Sequence, residues 1–249
     1  MERTTIDIRE IFKDKATVTK AELSAYIHSI DSNANDASIR QRISRYKRSG
    51  LIVSVKRGVY AYSNKPVYTY PADNFIAKLS KIFSAQYPEI NYCIWSSAWL
   101  YDFTIHQPAQ FFYIFETEYD IVEILFNLLK DNGYHAFLNP DEQTMQLYVM
   151  GMKNPVVVKP LLMRAPLVVN KTIKLPSLEK MLVDAYLDKR LFYFLQGIEM
   201  QNIFRFSFSK YSINISSLVN YALRRGKKSE ITDFAKRNVP FLSNLLIND

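Results

Sequence analysis

Between Ser38 and Ser63 the chain reads SIRQRISRYKRSGLIVSVKRGVYAYS. On a helix, Ile39, Ile43 and Tyr46 share one face and can dock on a core. Arg40 and Lys47 flank that face. Ser38, Gln41, Arg42, Arg45 and Arg48 lie further round, towards solvent. A helix that reads a DNA groove needs this division. Its guanidiniums and amides can meet guanine and adenine edges or phosphates. The two apolar runs that follow are joined by Lys56-Arg57-Gly58. That sequence suits a basic hairpin tip lying along the sugar-phosphate backbone or in the minor groove, each phosphate contact adding salt dependence. The plainer account is a solvated basic helix and a structural hairpin. The order of capped helices, basic helix and basic-tipped hairpin favours DNA.

Other residues could carry chemistry. In FETEYD, an extended strand would project Glu116, Glu118 and Asp120 on one side. Such carboxylates can hold Mg²⁺ for nucleotidyl transfer, but the Gly-Ser that usually precedes them is missing. The plainer account is a strand end leading into a helix capped by Asp120. His28, His106 and His135 are far apart and match no metal-binding spacing. The 6 glycines form no phosphate-cradling motif. Cys93, Trp95 and Trp99 read as core. A second basic group, Arg224, Arg225, Lys227 and Lys228, surrounds Gly226 where a helix should end. Cations there complement the helix dipole, or they make a second polyanion contact. Neither a catalytic residue nor a metal or cofactor site is expected.

The elements that must position these groups follow from periodicity and punctuation. Ile6, Ile8, Ile11 and Phe12 suggest a short first helix. Thr19 with Glu22 has capping-box spacing and opens a second. Asp36 can cap the third, which ends near Gly50. Leu51–Lys56 and Val59–Tyr62 are strands, so three helices precede a hairpin. That order predicts a winged helix-turn-helix over residues 1–66. The prolines of NKPVYTYPAD mark a boundary, and residues 72–249 form an α/β domain. Its mixed sheet spans about 90–170, with strands at Phe111–Phe115, His135–Leu138, Met145–Met150 and Val156–Lys159. The first two of the last three would form a hairpin turning at Asn139–Glu142. The end, 177–249, is helical, with Ser177 capping PSLEKMLVDAYLDK. The fold class is α+β.

The net charge of the 249 residues is +8, unevenly spread. Residues 1–70 carry 13 Lys and Arg against 7 Asp and Glu, residues 71–176 carry 8 against 10, and residues 177–249 carry 11 against 7. A basic N-terminal third suggests a polyanionic partner. One cysteine excludes an intrachain disulfide and a Cys-cluster zinc site. No signal-like start and no membrane-length apolar run is visible, so the cytoplasm is the expected location.

The run Gly50 to Tyr60, G-L-I-x-x-V-x-R-G-V-Y, resembles the wing of AbiEi-type antitoxins, the regulatory half of type IV toxin–antitoxin systems. RAPLVV followed by LPSLEKMLVDAYLDKRLFYFLQG resembles the C-terminal domain of that family, and YALRRGKK its closing element. The resemblance implies a bacterial, non-catalytic repressor that binds double-stranded DNA in the operator of its own operon. It also implies a nucleotidyltransferase-like toxin that is countered without a stable complex. Arg40, Gln41, Ser44, Arg45, Arg48, Lys56 and Arg57 carry over as DNA-binding residues. Glu179, Lys180 and Asp184 match the second motif. On periodicity Glu179 and Lys180 could be exposed, whereas Asp184 lies near the inner face, placed for a hydrogen bond or ion pair. A symmetric operator would call for a homodimer, although no heptad seam announces one. Two other readings stay open. One is a divergent Mg²⁺-dependent nucleotidyltransferase using Glu116, Glu118 or Asp120. The other is an interaction module with an apolar patch at Phe204, Phe206 and Phe208.

Overall fold

The computed structural model describes residues 7–245. It is a mixed α/β chain that divides into two compact units. One joins the N-terminal residues to Tyr68 with the segment from Arg205 onward; the other is Thr69–Phe204. The C-terminal helices thus group with the N-terminal segment rather than with the mixed sheet.

In the first unit a short strand β1 (Val18–Thr19) leads into α1 (Lys20–Ile30). The capping box forms as the spacing requires. Thr19 Oγ1 accepts the Glu22 N–H at 3.2 Å, and the Glu22 carboxylate accepts the Thr19 N–H at 2.7 Å. Helix α2 (Asp36–Arg48) is capped by Asn35, one residue before the expected Asp36. Asn35 Oδ1 accepts the Ser38 N–H at 2.9 Å, leaving Asp36 in the first turn, where its charge suits the helix dipole. The helix stops at Gly50, whose φ of +76° favours glycine. The Leu51 and Gly50 N–H groups return to the Tyr46 and Lys47 carbonyls, closing a Schellman turn. The expected first helix is only a 3₁₀ turn, Glu10–Phe12; Ile6 lies outside the described residues. Three residues are too few to repeat an apolar stripe, so Ile8 and Phe12 bury as single plugs.

The hairpin β2 (Ile52–Lys56) and β3 (Val59–Tyr62) turns at Arg57-Gly58, with Gly58 at φ +73°. A bulge falls between Ser54 and Lys56. With β1 they form a sheet in the order β1-β3-β2. One face of it supplies Ile52 and Tyr60 to a core with Leu23, Ile27, Ile39 and Ile43. The other face also has buried side chains, Val55 and Ala61. The C-terminal helices of the same unit are the later part of α7 (Ile198–Lys210), then α8 (Ile215–Arg224), α9 (Lys228–Asn238) and α10 (Phe241–Leu245). Of these, α8 packs against β2.

The second unit opens with α3 (Asn74–Gln86), whose cap Asp73 accepts the N–H groups of Phe75 and Ile76. Its sheet comprises β4 (Tyr92–Ser96), β5 (Tyr113–Thr117), β6 (Ala136–Leu138) and β7 (Val156–Pro160), in the order β4-β5-β7-β6. The β4–β5 pair is antiparallel, whereas β5–β7 and β6–β7 are parallel. Helix α4 (Val122–Asp131) lies between β5 and β6 in the chain.

The strand expected at Met145–Met150 is helical. Asp141 caps a single turn, α5 (Glu142–Thr144), which runs into a π turn at Met145–Val149. Met145 and Val149 are buried while Leu147 and Tyr148 are exposed. Their four-residue spacing is helical, not alternating, and β7 therefore pairs parallel beside β6. A short hairpin, β8 (Leu167–Asn170) and β9 (Ile173–Pro176), precedes α6 (Leu178–Leu187), which Ser177 caps as expected. No helix among the described residues is long and apolar enough to cross a membrane.

Candidate nucleic-acid interface

Helix α2 divides as its periodicity requires. Ile39, Ile43 and Tyr46 are buried, whereas Arg40, Gln41, Ser44, Arg45, Lys47 and Arg48 are exposed. Lys56 and Arg57 are exposed at the hairpin tip. Among the expected DNA-facing residues, Arg42 and Ser38 make contacts within the protein. The Arg42 guanidinium pairs with Asp31, tying α2 to the end of α1, and both side chains are about a third exposed or less. The Ser38 hydroxyl donates to the Asn35 carbonyl at 2.8 Å, as part of the cap. Arg40, Gln41, Ser44, Arg45 and Arg48 thus form the outward face, with Lys56 and Arg57 beside them in sequence.

The second basic group belongs to the same compact unit. Helix α8 ends at Arg224, two residues before Gly226, where φ is +68°. Arg224 and Lys227 are exposed; Arg225 and Lys228 are half-buried. The Arg224 guanidinium lies 5.8 Å from the Tyr221 ring centroid, and the Lys227 ammonium is 3.0 Å from Glu230. Dividing the sequence by unit sharpens its charge pattern. The unit holding α2 and the hairpin carries 21 Lys and Arg against 10 Asp and Glu, a net +11. The other carries 11 against 14, a net −3. All of the excess positive charge therefore falls on the unit that holds α2 and the hairpin.

Residues 38–240 match a family of unknown function, DUF6577. The chain belongs to that family. The DUF6577 match starts inside α2, takes in the hairpin and the whole second unit, and ends after α9. No curated protein matches the chain.

Elsewhere in this DUF6577 member, the three carboxylates of FETEYD do not converge. Strand β5 ends at Thr117, so the alternation breaks before Glu118. Glu118 is exposed and accepts the Asn91 N–H at 3.0 Å. Asp120 is exposed in a 3₁₀ turn, and its side chain does not cap α4. Glu116 is buried against Lys180. Among the described residues, no group of three or more His, Cys, Asp or Glu is placed to hold a metal ion. His28, His106 and His135 are exposed, and His106 Nδ1 lies 2.9 Å from Glu199. Trp95, Trp99, Phe204 and Phe208 are buried and Phe206 is half-buried, so the apolar patch of the third reading does not form.

Sequence reasoning missed a charged layer buried in the second unit. Cys93, Glu116 and Lys159 are register partners across β4, β5 and β7. Three α6-side residues, spaced by four, meet that row: Lys180, Asp184 and Asp188. The Lys180 ammonium donates to Glu116 at 2.5 Å and to Asp184 at 2.6 Å; Lys159 donates to Asp188 at 2.8 Å. Glu179 and Lys180, which the sequence left free to be exposed, are both buried. Asp184 does hold an ion pair. Burial pushes the Cys93 thiol well above its ordinary pKa, against the opposing pull of Lys180. Helix α6 is buried on nearly every side, so its charges had no solvent face to occupy.

Proposed function

We propose that this chain is a bacterial DNA-binding antitoxin that represses its own operon and counters a nucleotidyltransferase-like toxin, in the manner of the AbiEi-type antitoxins its sequence resembles. The N-terminal segment acts as a winged helix-turn-helix, with α2 as the recognition helix and the β2–β3 hairpin as the wing. Arg40, Gln41, Ser44, Arg45 and Arg48 face the groove, and Lys56 and Arg57 meet the backbone. It works in the cytoplasm, as a dimer where the operator is symmetric, and without a lasting complex with the toxin.

The observation that carries this reading is the charge division between the units, +11 against −3, with the exposed arginines of α2 on the basic one. Fluorescence anisotropy of the purified chain tests it, using duplex from upstream of its own gene and a scrambled duplex. Tighter binding to the upstream duplex is expected, weakening steeply with salt. Equal affinity for the two would remove the autorepressor claim. Co-expression with the adjacent reading frame tests the antitoxin claim, with restored growth the expected outcome.

A further inference from the structure

The hairpin has a base and a tip, and the C-terminal segment is fastened to its base. The Ser212 N–H donates to the Pro66 carbonyl at 2.8 Å, and its hydroxyl donates to the Gly50 carbonyl at 3.3 Å. Helix α8 begins three residues later and packs against β2. Ten helical residues rise about 15 Å, and a five-residue strand spans about 17 Å. A helix that starts at the base and lies on β2 therefore carries its last turn towards the tip. That turn stays packed, since Tyr221 and Ala222 are buried. Arg224, Arg225 and Lys227 follow at once, and the tip offers Lys56 and Arg57.

From this placement we infer that Arg224, Arg225 and Lys227 form, with Lys56 and Arg57, one cationic strip that grips the phosphate backbone of duplex DNA beside α2. The inference rests on the DNA-binding reading above and adds to it. The C-terminal helices are a second contact surface as well as a support for the wing. Base recognition stays with α2; the strip contributes affinity without sequence preference. Glu230, 3.0 Å from Lys227, tempers its charge.

The test uses the full-length chain and both duplexes over a series of salt concentrations. R224Q/K227Q is expected to weaken binding to both duplexes alike, by about tenfold, and to lower the salt slope by about 1–2. Its preference for the upstream duplex should be unchanged. R45Q/R48Q should instead erode the preference. Unchanged affinity and slope in R224Q/K227Q, with R45Q/R48Q impaired, would overturn the strip and leave the DNA-binding reading standing. If the parent chain bound neither duplex, the reading itself would fall. A loss seen only on structured RNA would assign the cations to RNA and overturn the proposal. Should R224Q/K227Q fold poorly, E230Q serves in its place. It removes a carboxylate without touching a cation, so tighter binding and a steeper slope are expected, and no change would count against the strip.

Discussion

Glu22 shows how one side chain can organise a helix start and acquire a displaced pKa without being buried. Its carboxylate accepts the Lys15 ammonium at 2.5 Å and both the N–H and hydroxyl of Thr19. The Lys15 bond is the largest cause, and together they lower its pKa to about 2. A lowered folded-state value means that the carboxylate form stabilises the fold above the ordinary range near 4.5, and that this contribution is lost as pH falls through about 2. The carboxyl ¹³C shift of Glu22 should titrate near 2, and E22Q should flatten that part of the acid-unfolding curve. A midpoint at the ordinary glutamate value would contradict the capping geometry. Cys93 is the opposite case, a group displaced upwards by burial. Its thiol should resist a disulfide reagent in the native protein and react at the rate at which the second unit opens. Fast stoichiometric labelling of the native chain would argue against that burial.

At the scale of elements, the docking of α6 on its sheet depends on charges that satisfy one another. Lys180 is fully buried between Glu116 and Asp184. K180M would leave two carboxylates without their cation, and breaking such a pair costs about 3–5 kcal/mol. The triple variant K180M/E116Q/D184N should recover part of that loss in urea titrations, because it removes the unpaired charge. If K180M were as stable as the parent, the pairing would have no energetic weight. Gly50 is the corresponding point in the first unit. A Cβ there would meet the Lys65 carbonyl oxygen at 2.7 Å, on a backbone at φ +76°. G50A should therefore cost about 1–3 kcal/mol.

These elements also show what could be read in advance. The α1 capping box, the faces of α2 and the hairpin turn are written in residues a few positions apart, and local spacing reports them. The helical turn at Met145–Val149 was hidden because a short apolar run fits either period. The pairing of Glu116 with Lys180 joins positions far apart through strand register, which a single chain does not display. The same holds for Asp31 and Arg42, whose contact requires α1 and α2 to be placed first.

For the whole molecule, the discontinuity of the basic unit has an energetic consequence. Its sheet buries side chains on both faces, and Val55 and Ala61 are only 4% and 5% exposed. Fully burying one valine is worth about 1.5–3 kcal/mol. Without the residues after Lys210, Tyr68 loses its edge-on contact with Tyr211, 5.1 Å between ring centroids. A chain ending at Lys210 keeps the whole second unit and all of α7 but lacks α8, α9 and α10. Its hairpin would have an uncovered apolar face, and its α2 would keep every expected groove-facing residue. Hydrogen exchange separates the contributions. Amides of residues 52–62 should lose protection in the shortened chain, while those of β4, β5 and β7 keep theirs. Duplex binding should fall with the hairpin's protection, although none of Arg40, Arg45, Arg48, Lys56 or Arg57 has been removed. Full protection of residues 52–62 without the C-terminal helices would mean that the N-terminal segment stands alone, and that the distant end of the chain only adds charge.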